Sequence, residues 1–112
     1  VTEYIPKGND MPTLIIYGEP PEEIQINKGS ISIGRGPENA VALKDMSVSK
    51  RHALITYQIL PNGSTRMQVA DLHSTNGTYV NGKKVSYSPL SDGDQLMFGS
   101  VAGAFYTKSP VT

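Results

Sequence analysis

Apolar and polar residues alternate along HALITYQI and RMQVADL, the period-two pattern of a strand with one buried face. The remaining apolar segments are short and rich in β-branched residues. Strands are predicted at 13–17, 24–27, 30–34, 40–43, 52–60, 66–72, 77–81, 94–99 and 103–107. No segment carries an apolar stripe of helical period, and glycine or proline interrupts nearly every window long enough for a helix. Asn62-Gly63 separates two predicted strands, and Asn81-Gly82 follows another. Asn-Gly tolerates the positive φ of tight hairpin turns. Many short strands with regular turn signals indicate an all-β sandwich or barrel. No internal repeat is visible.

The 112 residues suggest one domain, large enough to fold without a covalent staple. Its expected span is 13–107, between flanks 1–12 and 108–112. The chain starts at Val1 rather than methionine, which fits a piece cut from a longer protein. Ten basic residues balance ten acidic ones, so net charge draws the chain toward neither nucleic acid nor a membrane surface. Electrostatic recognition must then be local. The absence of cysteine excludes disulfides and thiolate chemistry. Two histidines without a ligand cluster of recognisable spacing give no metal site, and no cofactor is expected. No apolar run approaches the ~18 residues of a membrane span, and no signal peptide is visible. The expected location is intracellular and cytoplasmic, or nuclear in a eukaryote.

A sandwich gathers its loops at two ends, and recognition sits on such loops. Three loops carry unusual chemistry: GRGPENA at 34–40, DMSVSKRH at 45–52 and DLHSTNGTYVNG at 71–82. In the first, glycine can set the backbone so that Arg35 projects from a strand end. Its planar, permanently charged fork suits phosphate or carboxylate. No helix pattern follows, and neither the Rossmann spacing nor the Walker lysine is present. In the second, Ser49 and His52 raise the possibility of a nucleophile and its base. No nucleophile elbow accompanies them, and the neighbouring Lys50 and Arg51 suit an anion receptor at least as well. Asn76-Gly77 in the third loop is, by itself, an ordinary turn signal. Each loop alone has an ordinary explanation; their order and joint occurrence change the weighting.

The segments IGRGPENAVALKDMSVSKRHALI, DLHSTNGTYVNGKKV and LSDGDQLMFGS together resemble the forkhead-associated (FHA) domain, from about Thr13 to Phe105. The resemblance implies a two-sheet β-sandwich of roughly eleven short strands that binds phosphothreonine in a partner's peptide. It implies that Arg35, Ser49 and Lys50 meet the phosphate or the nearby peptide, that Thr75 shapes the site and that Asn76 bonds the peptide main chain. Gly34, His52 and Gly77 are implied as architectural, with His52 bracing the loops. Glu38, Asn39, Ser47 and His73 are candidates for reading flanking peptide residues. The implied partner is a phosphothreonine protein, the substrate of a Ser/Thr kinase. Neither direct nucleic-acid binding nor membrane insertion is expected. The alternative is a phosphate-independent interaction domain of the same fold, and an enzyme built on Ser49 and His52 is not expected.

Overall fold

A computed structural model describes residues 12–26 and 29–107. Its eleven strands are β1 (Thr13–Ile16), β2 (Glu22–Gln25), β3 (Ser30–Gly34), β4 (Val41–Ala42), β5 (Ala53–Ile59), β6 (Thr65–Asp71), β7 (Thr78–Val80), β8 (Lys83–Val85), β9 (Tyr87–Pro89), β10 (Gln95–Phe98) and β11 (Val101–Tyr106). They form a six-stranded sheet in the order β2-β1-β11-β10-β7-β8 and a five-stranded sheet in the order β4-β3-β5-β6-β9. The pairing of β3 with β4 is parallel. The molecule is thus the all-β sandwich of two sheets that the resemblance implies.

Alternation decides which face of each strand turns inward. In β5, Ala53 and Ile55 are buried while Leu54 and Thr56 are half-buried; in β6, Met67 and Val69 are buried between more exposed neighbours. Leu14 and Ile16, Ile31 and Ile33, Leu96 and Phe98 repeat the pattern, and with Phe105 they form one core shared by both sheets. No helix among the described residues is long and apolar enough to cross a membrane.

Two strands were not predicted. β8 reads KKV and β9 reads YSP, so neither has an apolar alternation to detect. β8 is drawn into the sheet by β7 through a two-residue connection, with Val80 opposite Lys83. There Asn81 and Gly82 both have positive φ, 51° and 82°, as a type I′ hairpin requires. β9 lies at a sheet edge, where proline's missing N–H is tolerated. The strand expected at 24–27 lies earlier, at Glu22–Gln25, and Asn27 falls outside the described residues. Of the expected flanks, 1–11 and 108–112 also fall outside them. Pro12 is buried, and its carbonyl accepts a bond from the Ile26 N–H at 2.8 Å.

Register sets the geometry of one end. Ile33 at the end of β3 pairs with Ala53 at the start of β5, which pairs with Asp71 at the end of β6. The loops that leave these strands therefore emerge together. They are the three loops that the sequence marks as chemically unusual.

Candidate functional site

Gly34 opens the site. A Cβ there would lie 2.2 Å from the Lys50 carbonyl oxygen, so only glycine lets β3 approach the 45–52 loop this closely. Beyond it, the Arg35 N–H donates to the Ser49 carbonyl at 2.9 Å and Arg35 Nε–H to the Val48 carbonyl at 3.0 Å. Arginine has five N–H donors. With Nε engaged, the two terminal nitrogens remain directed by a fixed fork.

The 45–52 loop is braced from several sides. Asp45 Oδ1 accepts from both the N–H and the hydroxyl of Ser47, and these two bonds hold its carboxyl below the usual range. Ser47 Oγ also accepts the Ser100 N–H at 2.9 Å. Asn39 is buried, and its Nδ2 donates to the carbonyls of Gly36 and Lys50 at 2.8 and 2.7 Å. The Lys50 main chain is fixed in this way while its side chain stays exposed.

His52 is fully buried beneath these loops, with its ring edge-to-face against Phe98 at 6.0 Å. Its Nδ1 accepts the Ser49 N–H at 3.1 Å, so Nδ1 carries no proton. Nε2 must then hold the hydrogen and donate it to the Gly77 carbonyl, 2.8 Å away. Both ring nitrogens are thereby spent on the main chain of two different loops. The histidine faces the Ser49 backbone, not its hydroxyl, and this geometry removes the nucleophile–base pairing.

Ser49 Oγ instead accepts the Thr75 N–H at 3.0 Å. That bond orients the hydroxyl and leaves its own hydrogen without an acceptor among the described residues. Asn76 Nδ2 donates to the Ser47 carbonyl at 2.8 Å, which leaves its Oδ1 and second N–H available. The 71–77 loop is anchored from below. Asp71 accepts from the Ser74 hydroxyl and N–H and from the Thr78 hydroxyl. Burial raises its carboxyl pKa, but these hydrogen bonds outweigh it, and the carboxyl titrates below its usual range.

Arg35, Ser49, Lys50, Thr75 and Asn76 converge on one depression of about 300 Å³, completed by Met46, Ser47 and Val48. Two cations line it and no carboxylate does. Gly34, His52 and Gly77 lie behind it, among the loop-to-loop contacts. The four flanking candidates separate. Ser47 lines the depression. Glu38 is exposed and folds its carboxylate toward Gly36. His73 is exposed with φ 58° and does not line the depression. Asn39 is buried and does not line the depression; its Nδ2 group is bonded within the loop framework.

Sequence reasoning missed Met46, which is 86% exposed at the rim, and the bracing roles of Asp45, Gly99 and Ser100. A Cβ on Gly99 would lie 2.4 Å from the Ser47 carbonyl. The FGS sequence held that signal, but nothing local connected it to a loop about fifty residues earlier.

The profile of the FHA domain matches residues 31–99. The glycogen accumulation regulator GarA of Mycolicibacterium smegmatis is 34% identical over 82 residues, 73% of this chain and 49% of that protein. The oxoglutarate dehydrogenase inhibitor of Corynebacterium jeikeium is 34% identical over 84 residues, 75% of this chain and 55% of that protein. The chain thus spans about half the length of these relatives. A structure from a study of phosphothreonine-dependent FHA domain interactions superposes with a TM-score of 0.78 at 33% identity, over 89% of this chain and 98% of that one. The FHA domain of FhaA, solved with the intracellular domain of Rv3910, gives 0.76 at 34% identity, over 84% and 98%. With its profile match spanning both the strands and the loops that build the depression, the chain belongs to the FHA domain family.

Proposed function

We propose that this chain is a phosphothreonine-dependent peptide-binding module that recruits phosphorylated partners through the loops at one end of its sandwich. The observation that carries this reading is the depression lined by Arg35, Ser49, Lys50, Thr75 and Asn76, with two cations and no acid. Phosphothreonine brings about −1.5 to −2 charges and three acceptor oxygens. The Arg35 fork and the Lys50 ammonium neutralise that charge, while the free hydrogen of Ser49 donates to a phosphate oxygen. Asn76, held by Ser47, offers its remaining amide groups to an extended peptide main chain.

The magnitudes agree with modest affinity. Charge-assisted hydrogen bonds contribute roughly 1.5–3 kcal/mol each. Two or three approach the ~8 kcal/mol of micromolar binding, before ordering costs and peptide contacts. The loops are already tied to one another, so less ordering is charged to the ligand.

The module is proposed to span 13–107, wider than the matched profile, because β1, β2 and β11 complete the six-stranded sheet. Its partner is proposed to be an intracellular protein marked by a Ser/Thr kinase. Neutral net charge argues against direct nucleic-acid binding.

Titration calorimetry with phosphothreonine peptides, against phosphoserine and unphosphorylated controls, tests the reading. Micromolar binding confined to phosphothreonine is expected. Arg35→Ala is expected to weaken it at least about 100-fold, the loss of two charge-assisted bonds, with the far-ultraviolet spectrum unchanged. Equal affinity for phosphorylated and unphosphorylated peptide, or wild-type affinity in folded Arg35→Ala, sinks the proposal in favour of a phosphate-independent interface.

A further inference from the structure

Met46 stands apart from the other apolar side chains of the recognition end. It is 86% exposed, whereas Val48, two residues on, is buried. It is thus the one exposed apolar side chain of a depression whose other lining is cations, hydroxyls and an amide. An exposed methionine on a loop is ordinary by itself. Two observations single this one out. The first is that the main chain around it is held without its side chain. The Val48 N–H donates to the Asp45 carbonyl at 3.0 Å, and the Ser47 N–H donates to Asp45 Oδ1 at 2.9 Å. These bonds close a turn with Met46 at its tip, and Ser47 Oγ ties that turn to the Ser100 N–H. The chemistry of the tip side chain can therefore change while the turn stays closed.

The second is the company it keeps. Arg35, Ser49 and Lys50 line the same depression, so the donors meant for an anion share one hollow with a thioether sulfur. A thioether is a weak acceptor and leaves those donors alone. Its oxidation product does not, because methionine sulfoxide is polar and carries a partly negative oxygen. The described methionines also differ in access to an oxidant: Met46 is 86% exposed, Met97 38% and Met67 5%. Met11 lies outside the described residues. Oxygen added at Met67 would disturb the core, whereas at Met46 it alters only the rim of the site.

We infer that Met46 is a reversible oxidation site whose sulfoxide weakens binding at the adjoining phosphate site. The oxidant is a peroxide. A lone pair on Met46 Sδ attacks one peroxide oxygen, the O–O bond breaks, and an S–O bond forms. The second peroxide oxygen leaves as water after proton transfer. Sulfur gives up two electrons and the peroxide takes them. The new oxygen competes with phosphate oxygens for the Arg35, Ser49 and Lys50 donors and repels the phosphate itself. A methionine sulfoxide reductase restores the thioether. The inference rests on the phosphopeptide reading and adds to it a control by oxidation.

The test treats the wild type, Met46→Leu and Met97→Leu with dilute hydrogen peroxide. Peptide mass mapping follows the sulfoxide at each methionine. Phosphothreonine-peptide affinity is measured before treatment, after it, and again after methionine sulfoxide reductase. Met46 is expected to oxidise ahead of Met97 and Met67, with the unfolding midpoint unchanged. Affinity of the wild type and of Met97→Leu is expected to fall about three- to tenfold, the partial loss of one charge-assisted bond, and to return with the reductase. For Met46→Leu, whatever its starting affinity, the ratio before and after treatment should stay near one. If Met46 does not oxidise first, if its sulfoxide binds as tightly as the thioether, or if Met46→Leu loses as much as the wild type, the inference is overturned while the phosphopeptide reading stands. If no phosphopeptide binds the untreated wild type at all, both are overturned.

Discussion

Asn62-Gly63 and Asn76-Gly77 are the same dipeptide in two loops, and the fold uses them in opposite ways. At 60–64 every bond is local. Asn62 Oδ1 accepts from the N–H and hydroxyl of Ser64, and the Gly63 N–H returns to the Leu60 carbonyl. The turn joins β5 to β6 and touches little else; a Cβ on Gly63 would meet nothing within 4 Å. At 74–77 the bonds leave the loop. Asn76 reaches Ser47, the Gly77 carbonyl receives His52 Nε2 and the Gly99 N–H, and the Thr75 N–H reaches Ser49. One loop only reverses the chain. The other is a clamp joining three segments distant in sequence, 45–52, 74–77 and Gly99, and it forms one wall of the depression. A preorganised anion site needs the second kind, since donors fixed by neighbouring loops need not be ordered by the ligand.

Substituting the two glycines gives the widest separation. Gly63 and Gly77 have φ of 86° and 91°, so either alanine carries the left-handed penalty of about 1–2 kcal/mol. Gly77→Ala adds contacts at 3.0 Å to Lys84 Cε and 3.2 Å to Tyr79. It is expected to cost about 1 kcal/mol more than Gly63→Ala, read as the difference between their urea midpoints, and to weaken phosphopeptide binding as well. Equal destabilisation and unimpaired binding would mean that the 74–77 loop is no clamp.

The asparagines should part on binding more than on stability. Asn76→Ala is expected to weaken phosphopeptide affinity about tenfold or more, the loss of one or two hydrogen bonds. Asn62→Ala should leave affinity within about twofold and cost about 0.5–1 kcal/mol of stability. Calorimetry on the two variants decides the matter, and equal affinities would break the contrast.

Acid offers the smallest effect. The Ser64 turn is held by an amide, which does not titrate, whereas the Ser74 turn is held by Asp71. The Asp71 pKa in the folded chain lies below the unfolded value of 3.8. Its contribution is therefore fully present above that value and is lost as pH falls through the folded one. Because the carboxyl is only partly buried, the contribution should stay below about 1 kcal/mol. Unfolding midpoints measured from pH 5 down to pH 2 should fall less steeply for Asp71→Asn than for the wild type; parallel curves would refute the assignment.

Local chemistry made much of the molecule legible. Alternation in HALITYQI and RMQVADL marked β5 and β6 because one buried face imposes period two on any strand. Asn81-Gly82 marked a tight turn because few other residues accept positive φ twice in succession. The charged and hydroxylated loops marked the recognition end, and their joint spacing pointed to the FHA family.

Partnership, in contrast, was decided only by the tertiary structure. KKV and YSP became β8 and β9 because β7 and β6 were there to pair with them. Asn39, a candidate for reading the peptide, has its Nδ2 group turned inward to the Gly36 and Lys50 carbonyls. Met97 acquired a neighbour in Tyr79, and Asn76-Gly77 became a clamp where Asn62-Gly63 stayed a turn. The physical reason is common to all four. A strand's face or a turn's φ is settled within a few residues, but a donor's acceptor and a side chain's neighbour are settled by the register of two sheets, which brings together residues tens of positions apart.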